Sequence, residues 1–190
     1  MHVLDWAHAF YTNPVANDLV WGLALHWYSG DQFDNVRQIH DAWPDKPIMP
    51  TEASLCQGGS PALDQWSHGE AYSHDIIGDL NAFAVGWTDW NILLDQTGGP
   101  NHAGNHCNAP ILARLDQTPI QLHYQPMYYH LGHFARYLPP GSIRIMHQFD
   151  VDNANLEFVT FLVPLSGARD TGESWTRLEN HLDIERLQLA

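Results

Sequence analysis

The sequence predicts an α/β fold built on parallel strands, and two observations carry that prediction. Three apolar runs, 19–28, 47–52 and 82–91, alternate with stretches of helical character. That order is the one expected when parallel strands are joined by crossover helices. Each run also ends in polar or aromatic residues: His26-Trp27-Tyr28, then Glu52, then Asp89-Trp90-Asn91. In parallel α/β folds the chemistry collects at such C-terminal strand ends.

Taken in order, residues 4–12 set Leu4, Ala7, His8 and Tyr11 on one helical face, and Asn13-Pro14 breaks the pattern. Residues 19–28, LVWGLALHWY, form a nearly continuous apolar run, as expected of a strand buried on both faces. A polar, helix-compatible stretch over 31–43 is closed by Pro44. Pro47 to Glu52 reads as a second short strand that ends on a carboxylate, and Gly58-Gly59-Ser60-Pro61 as a loop. Residues 65–80 carry Tyr72, Ile76, Ile77 and Leu80 at helical spacing. The third run, AFAVGWTDWN, follows at 82–91. A long loop rich in Gly, Asn, His and Pro then spans 95–110. Residues 124–138 align Met127, Leu131, Phe134, Ala135 and Leu138 on one side of an amphipathic helix. Three strands do not close a barrel, which takes eight, so the pattern reads as the last part of one. Residues 141–164 change character, with β-type content over 155–163. From Leu165 the chain turns polar and charged, and 175–189 would form one amphipathic helix.

Composition narrows the function classes. The chain has 190 residues, 44% of them hydrophobic and 12% aromatic, which separates it from disordered sequences. Eight Lys and Arg stand against 22 Asp and Glu, for a formal charge of −14. That balance argues against nucleic acid as a partner, because such binding runs on cations that neutralise phosphates. No apolar run approaches the roughly 20 residues that cross a bilayer. The N-terminus lacks the basic segment and apolar core of a signal peptide. The two cysteines, Cys56 and Cys107, are compatible with one bridge or with two free thiols. No internal repeat, dinucleotide-binding G-x-G-x-x-G, phosphate-binding Walker A or nucleophile-elbow G-x-S-x-G is present.

Three constellations could carry chemistry. Glu52 lies between a buried strand and a Gly-rich loop, where a carboxylate is costly unless something uses it. Glycoside hydrolysis wants such a group, with one carboxylate as nucleophile and a second as acid/base. The plainer reading is a strand-end Glu that caps a helix or pairs with an Arg, and spacing alone favours it. Trp27, Tyr28, Trp87 and Trp90 could stack on the apolar face of a sugar, against a core-packing role for any one of them. His102 and His106 sit four apart beside Cys107, which is metal-like spacing. The segment lacks the Glu of a zinc-protease helix and contains Gly104, so no metal site is expected.

Longer motifs then identify a family. HWY (26–28), TEAS (51–54), YSHDII (72–77), GWTDWN (86–91), GGPN (98–101) and QPMYYHLGHFARYLPPGS (125–142) occur in this order. Together they resemble glycoside hydrolase family 30, and within it the animal lysosomal glucosylceramidases, over about residues 3–164. The resemblance implies a (β/α)8 TIM barrel with a β-sandwich-like side domain. On that reading residues 1–140 are the C-terminal part of the barrel, about strands 6–8. Residues 141–164 are then part of the side domain, and 165–190 a divergent tail, helical or disordered. It further implies that Glu52 is the catalytic nucleophile of a retaining mechanism. Tyr28 would stand close to it, and Trp90, Asn105 and His26 would line or order the glucose pocket. No metal and no organic cofactor are implied. The implied substrate is β-glucosylceramide at a membrane surface, with a saposin-type activator and anionic lipid as partners and the lysosome as location. The family's acid/base glutamate belongs to an Asn-Glu-Pro motif that does not occur in these residues. The chain therefore reads as the nucleophile half of such an enzyme. The alternative is a truncated, non-catalytic paralogue that at most binds glycolipid or a partner. A third reading keeps the family and changes the sugar, for example to a β-xyloside. No N-x-[ST] glycosylation site is present.

Overall fold

The computed structural model describes residues 3–57, 61–100, 103–145 and 156–163. Helix α1 (Val3–Tyr11) presents Ala7 and Tyr11 to the core as the periodicity requires. Asn13-Pro14 then starts a helix where the sequence suggested only a break. Asn13 caps α2 (Pro14–Leu19) by accepting the backbone N–H groups of Val15 and Ala16, and Pro14 takes the first helical position, where its missing N–H costs nothing. The expected strand over 19–28 is accordingly shorter. Leu19 closes α2, and only Leu23–His26 forms β1, followed by a 3-10 turn at Trp27–Ser29. Its residues alternate half-buried and exposed instead of being buried on both faces. Among the described residues β1 pairs with one neighbour only, which leaves its other side open.

Helix α3 (Phe33–Ala42) buries Val36 and Ile39 and leads to β2 (Ile48–Glu52), which pairs in parallel with β1 from Leu23–Ile48 to His26–Glu52. A two-residue strand, β3 (Cys56–Gln57), precedes α4 (Trp66–Asn81). The run 82–91 is laid as a third parallel strand with hydrogen bonds on one side. Ala84 bridges Ile48, and the N–H groups of Val85, Thr88 and Trp90 donate to the carbonyls of Ile48, Pro50 and Ala53. Lacking a continuous ladder, it is not a regular strand. The order of the layer is therefore β1, β2, then 84–90. Ala7, Tyr11, Val36, Ile39, Ile48 and Ala82 form the core between this layer and its helices.

The segment read as one long loop holds structure of its own. Within 95–110 lie the end of β4 (Leu93–Asp95) and all of β5 (His106–Cys107), and β6 (Ile111–Arg114) and β7 (Gln121–Tyr124) follow it. β4, β6 and β7 form a three-stranded sheet, parallel then antiparallel, while β5 pairs antiparallel with β3. The two open readings of the cysteines resolve at that pairing, because Cys56 and Cys107 stand opposite each other and form a disulfide. Helix α5 (Pro126–Tyr137) packs along α4. β8 (Ile143–Ile145) and β9 (Thr160–Leu162) pair antiparallel, in line with the β content expected there. The expected tail helix over 175–189 lies outside the described residues.

Candidate active site

The first two strand ends lie side by side, because β1 and β2 run parallel and a register shift after the Leu25–Pro50 pair sets His26 opposite Glu52. The 3-10 turn that follows β1 swings Tyr28 back over Glu52, and its hydroxyl donates to Glu52 Oε1 at 3.0 Å. His26 Nδ1 stands 3.9 Å from the same oxygen. This is an ion-pair distance when the ring is protonated and too long for a strong hydrogen bond. Burial pushes the Tyr28 phenol up to about 12, and the hydrogen bond and charge of Glu52 and the charge of Asp89 add to it. Tyr28 thus stays a donor across the working range. Glu52 is about one-third exposed, as a group that must meet a ligand should be.

The segment leaving Glu52 is held from both neighbouring strand ends. The Trp27 indole N–H donates to the Ser54 carbonyl at 3.2 Å, and the Trp90 backbone N–H donates to Ala53 at 3.0 Å. Beneath it, the rings of Trp27, Tyr72 and Trp87 meet one another at centroid distances of 5.3–6.4 Å. Tyr72 of α4 donates to Asp89 Oδ1 at 2.9 Å, while Asp89 Oδ2 is buried with no hydrogen-bond partner among the described residues. Burial pushes the Asp89 carboxyl up to about 7, against the lowering effect of its bonds from Tyr72 and the Trp90 N–H. Asp79, on α4, is pushed up to about 7 by burial and then by the charges of Asp75 and Asp31. Trp87 donates its indole N–H to Asp75 at 2.7 Å, yet burial still raises that carboxyl. A cavity of about 220 Å³ is lined by Glu52, His26, Trp27, Phe33, Asp75 and Asp79.

Of the residues expected at the site, Glu52, Tyr28 and His26 come together. Trp90 joins them through its backbone, while its ring packs against Leu94, Cys107, Ala109 and Leu112. Asn105 is exposed, one residue before β5. The metal-like spacing near His106 is spent otherwise: Cys107 is bonded to Cys56, and His106 Nδ1 pairs with the Thr97 carbonyl at 2.6 Å. His102 lies outside the described residues. Asp89 and Tyr72 are the members that sequence reasoning did not assign. The one signal was an acid placed among apolar residues at a strand end, in GWTDWN.

Parallel strands joined by helices, with a hydrogen-bonded carboxylate at a C-terminal strand end, are what part of an α/β barrel presents. The glycosyl hydrolase family 30 TIM-barrel model matches residues 1–138. The chain is 36% identical over 184 residues to the Caenorhabditis elegans protein named "Putative glucosylceramidase 3", which covers 93% of this chain and 34% of that protein. It is 35% identical over 167 residues to lysosomal acid glucosylceramidase of Mus musculus, covering 84% of this chain and 32% of the mouse protein. The crystal structure of SrfJ from Salmonella typhimurium superposes with a TM-score of 0.77 at 34% identity, over 85% of this chain and 35% of that one. The chain belongs to glycoside hydrolase family 30. It spans about one third of the length of the relatives it matches.

Proposed function

We propose that the chain supplies the nucleophile side of a retaining β-glucosidase of the glucosylceramidase type. The observation that carries this reading is the Tyr28–Glu52 hydrogen bond at a barrel strand end. Tyr28 engages Oε1, which leaves Oε2 as the attacking oxygen. Oε2 forms a bond to the anomeric carbon of β-glucosylceramide as the bond to the ceramide oxygen breaks. A second carboxylic acid, about 5 Å away in retaining enzymes, gives the leaving oxygen its proton. The same group then takes a proton from water, which attacks the anomeric carbon and releases glucose and Glu52. That second carboxylate is the glutamate of the family's Asn-Glu-Pro motif and comes from outside these residues. Trp90, Asn105 and His26 would bind or order the sugar. The likeness to the mouse enzyme supports a glycolipid substrate and a lysosomal location, while a membrane surface, a saposin-type activator and anionic lipid rest on the family resemblance alone.

The test is proton NMR of the first sugar released by the protein carrying this chain. β-Glucosylceramide in anionic vesicles and a panel of aryl β-glucosides and β-xylosides are compared at acid pH. Retained β-glucose from the glucosides, with little xylose released, is the expected result. Release of the α-anomer first, or preference for xylosides, would overturn the mechanism or the sugar respectively.

A further inference from the structure

We infer that the Cys56–Cys107 disulfide is a positioning device for the sugar site, fixing the Asn105 loop against the segment that leaves Glu52. The inference rests on the proposed roles of Glu52 and Asn105. Cys56 lies four residues beyond Glu52, and Cys107 two residues beyond Asn105. The nucleophile side of the bridge is already fixed, since Trp27 and Trp90 grip Ser54 and Ala53. The other side is half anchored. Cys107 is fully buried against Leu94, Ala109 and Leu112, and the Asn108 N–H donates to Leu55 at 2.7 Å. Immediately before it, Ala103, Gly104, Asn105 and His106 are all exposed, and Gly104 takes a left-handed φ of +67°.

The β3–β5 ladder that would otherwise tie these two segments is only two residue pairs long. Ladders that short are marginal without a cross-link. The disulfide adds a covalent tie to that ladder, so Asn105 is ordered before a sugar arrives and its ordering entropy is not charged to binding. Trp90 packs on the same buried cluster as Cys107, which joins the third strand end to the same anchor.

The experiment compares the oxidised protein with the Cys56→Ala, Cys107→Ala double variant. Amide exchange is followed by mass spectrometry over 98–107, and affinity for a glucose-configured iminosugar is measured by calorimetry. Faster exchange confined to 98–107 is expected, with protection over α4 and α5 unchanged. Sugar affinity should weaken about tenfold, and KM should rise while kcat stays within about twofold. A variant that keeps both the protection and the affinity would overturn the inference, as would one in which kcat falls with KM unchanged. Should the alanine pair fail to fold, the Cys56→Val, Cys107→Val pair refills the buried volume and makes the same comparison. An oxidised protein that binds no iminosugar overturns the proposed function instead, and the exchange over 98–107 then decides the positioning claim alone.

Discussion

Tyr28 sets how Glu52 presents its charge. Its hydroxyl satisfies one carboxylate oxygen and, with a pKa near 12, does so without competing for the charge. Hydrogen bonds to charged groups are worth about 1.5–3 kcal/mol. Tyr28→Phe should therefore lower kcat/KM for an aryl β-glucoside by about 10–100-fold, with the folded state intact by circular dichroism. An unchanged kcat/KM would remove Tyr28 from the account. That Glu52, His26 and Tyr28 would gather was legible because each stands at the end of an apolar run, while the roles given to them came from the family resemblance. Asp89 stands at such an end too, but its contact with Tyr72 was not legible, since it depends on how α4 lies beneath the third strand end. No local pattern encodes that placement.

At the scale of elements, α4 is held between α3 and α5 by close approach. A Cβ on Gly78 would fall well inside contact distance of the Phe33 ring, and one on Gly69 would meet the His130 ring. Gly78→Ala should gain helix propensity yet lose about 1–3 kcal/mol to the clash, a net destabilisation visible in urea unfolding. Equal or greater stability would mean that α3 and α4 are not packed as described. Helices α1, α3, α4 and α5 were legible because their periods are long enough to read, whereas α2 and the true extent of β1 were not, since an Asn-Pro break and a helix cap look alike in sequence. The β4–β6–β7 sheet was not: its strands are three or four residues long and sit among Gly, Asn and Pro. The disulfide depended on another short pairing, β3 with β5. It closes a separation of 51 residues, a cross-link worth about 4 kcal/mol on chain entropy alone.

At the scale of the whole molecule, the buried carboxyls of Asp79 and Asp89 favour an acidic medium. Asp79 and Asp89 bind protons more tightly folded than unfolded, with values near 7 against about 3.8. Each contributes stability that is full below the unfolded value and is lost as pH rises through about 7. His74 acts in the same direction. Burial opposes its charge, but hydrogen bonds to Asp31 and Glu157 outweigh burial and raise its pKa. These bonds join α4 to the turn after β1 and to the β9 approach. The melting temperature should therefore fall as pH rises from about 4 to 7, and Asp79→Asn with Asp89→Asn should flatten that slope. A melting temperature that climbs over this range would contradict the assignment.

The role proposed for Glu52 is that of the nucleophile. Its most direct test is incubation with a 2-deoxy-2-fluoro-β-glucoside bearing a good leaving group, followed by intact-mass and peptide mapping. Such a reagent needs little acid assistance, so it reports on the nucleophile separately from the second carboxylate. One glucosyl adduct on the peptide containing Glu52, absent from Glu52→Gln, is the result expected. An adduct on any other residue, or none, would contradict the account.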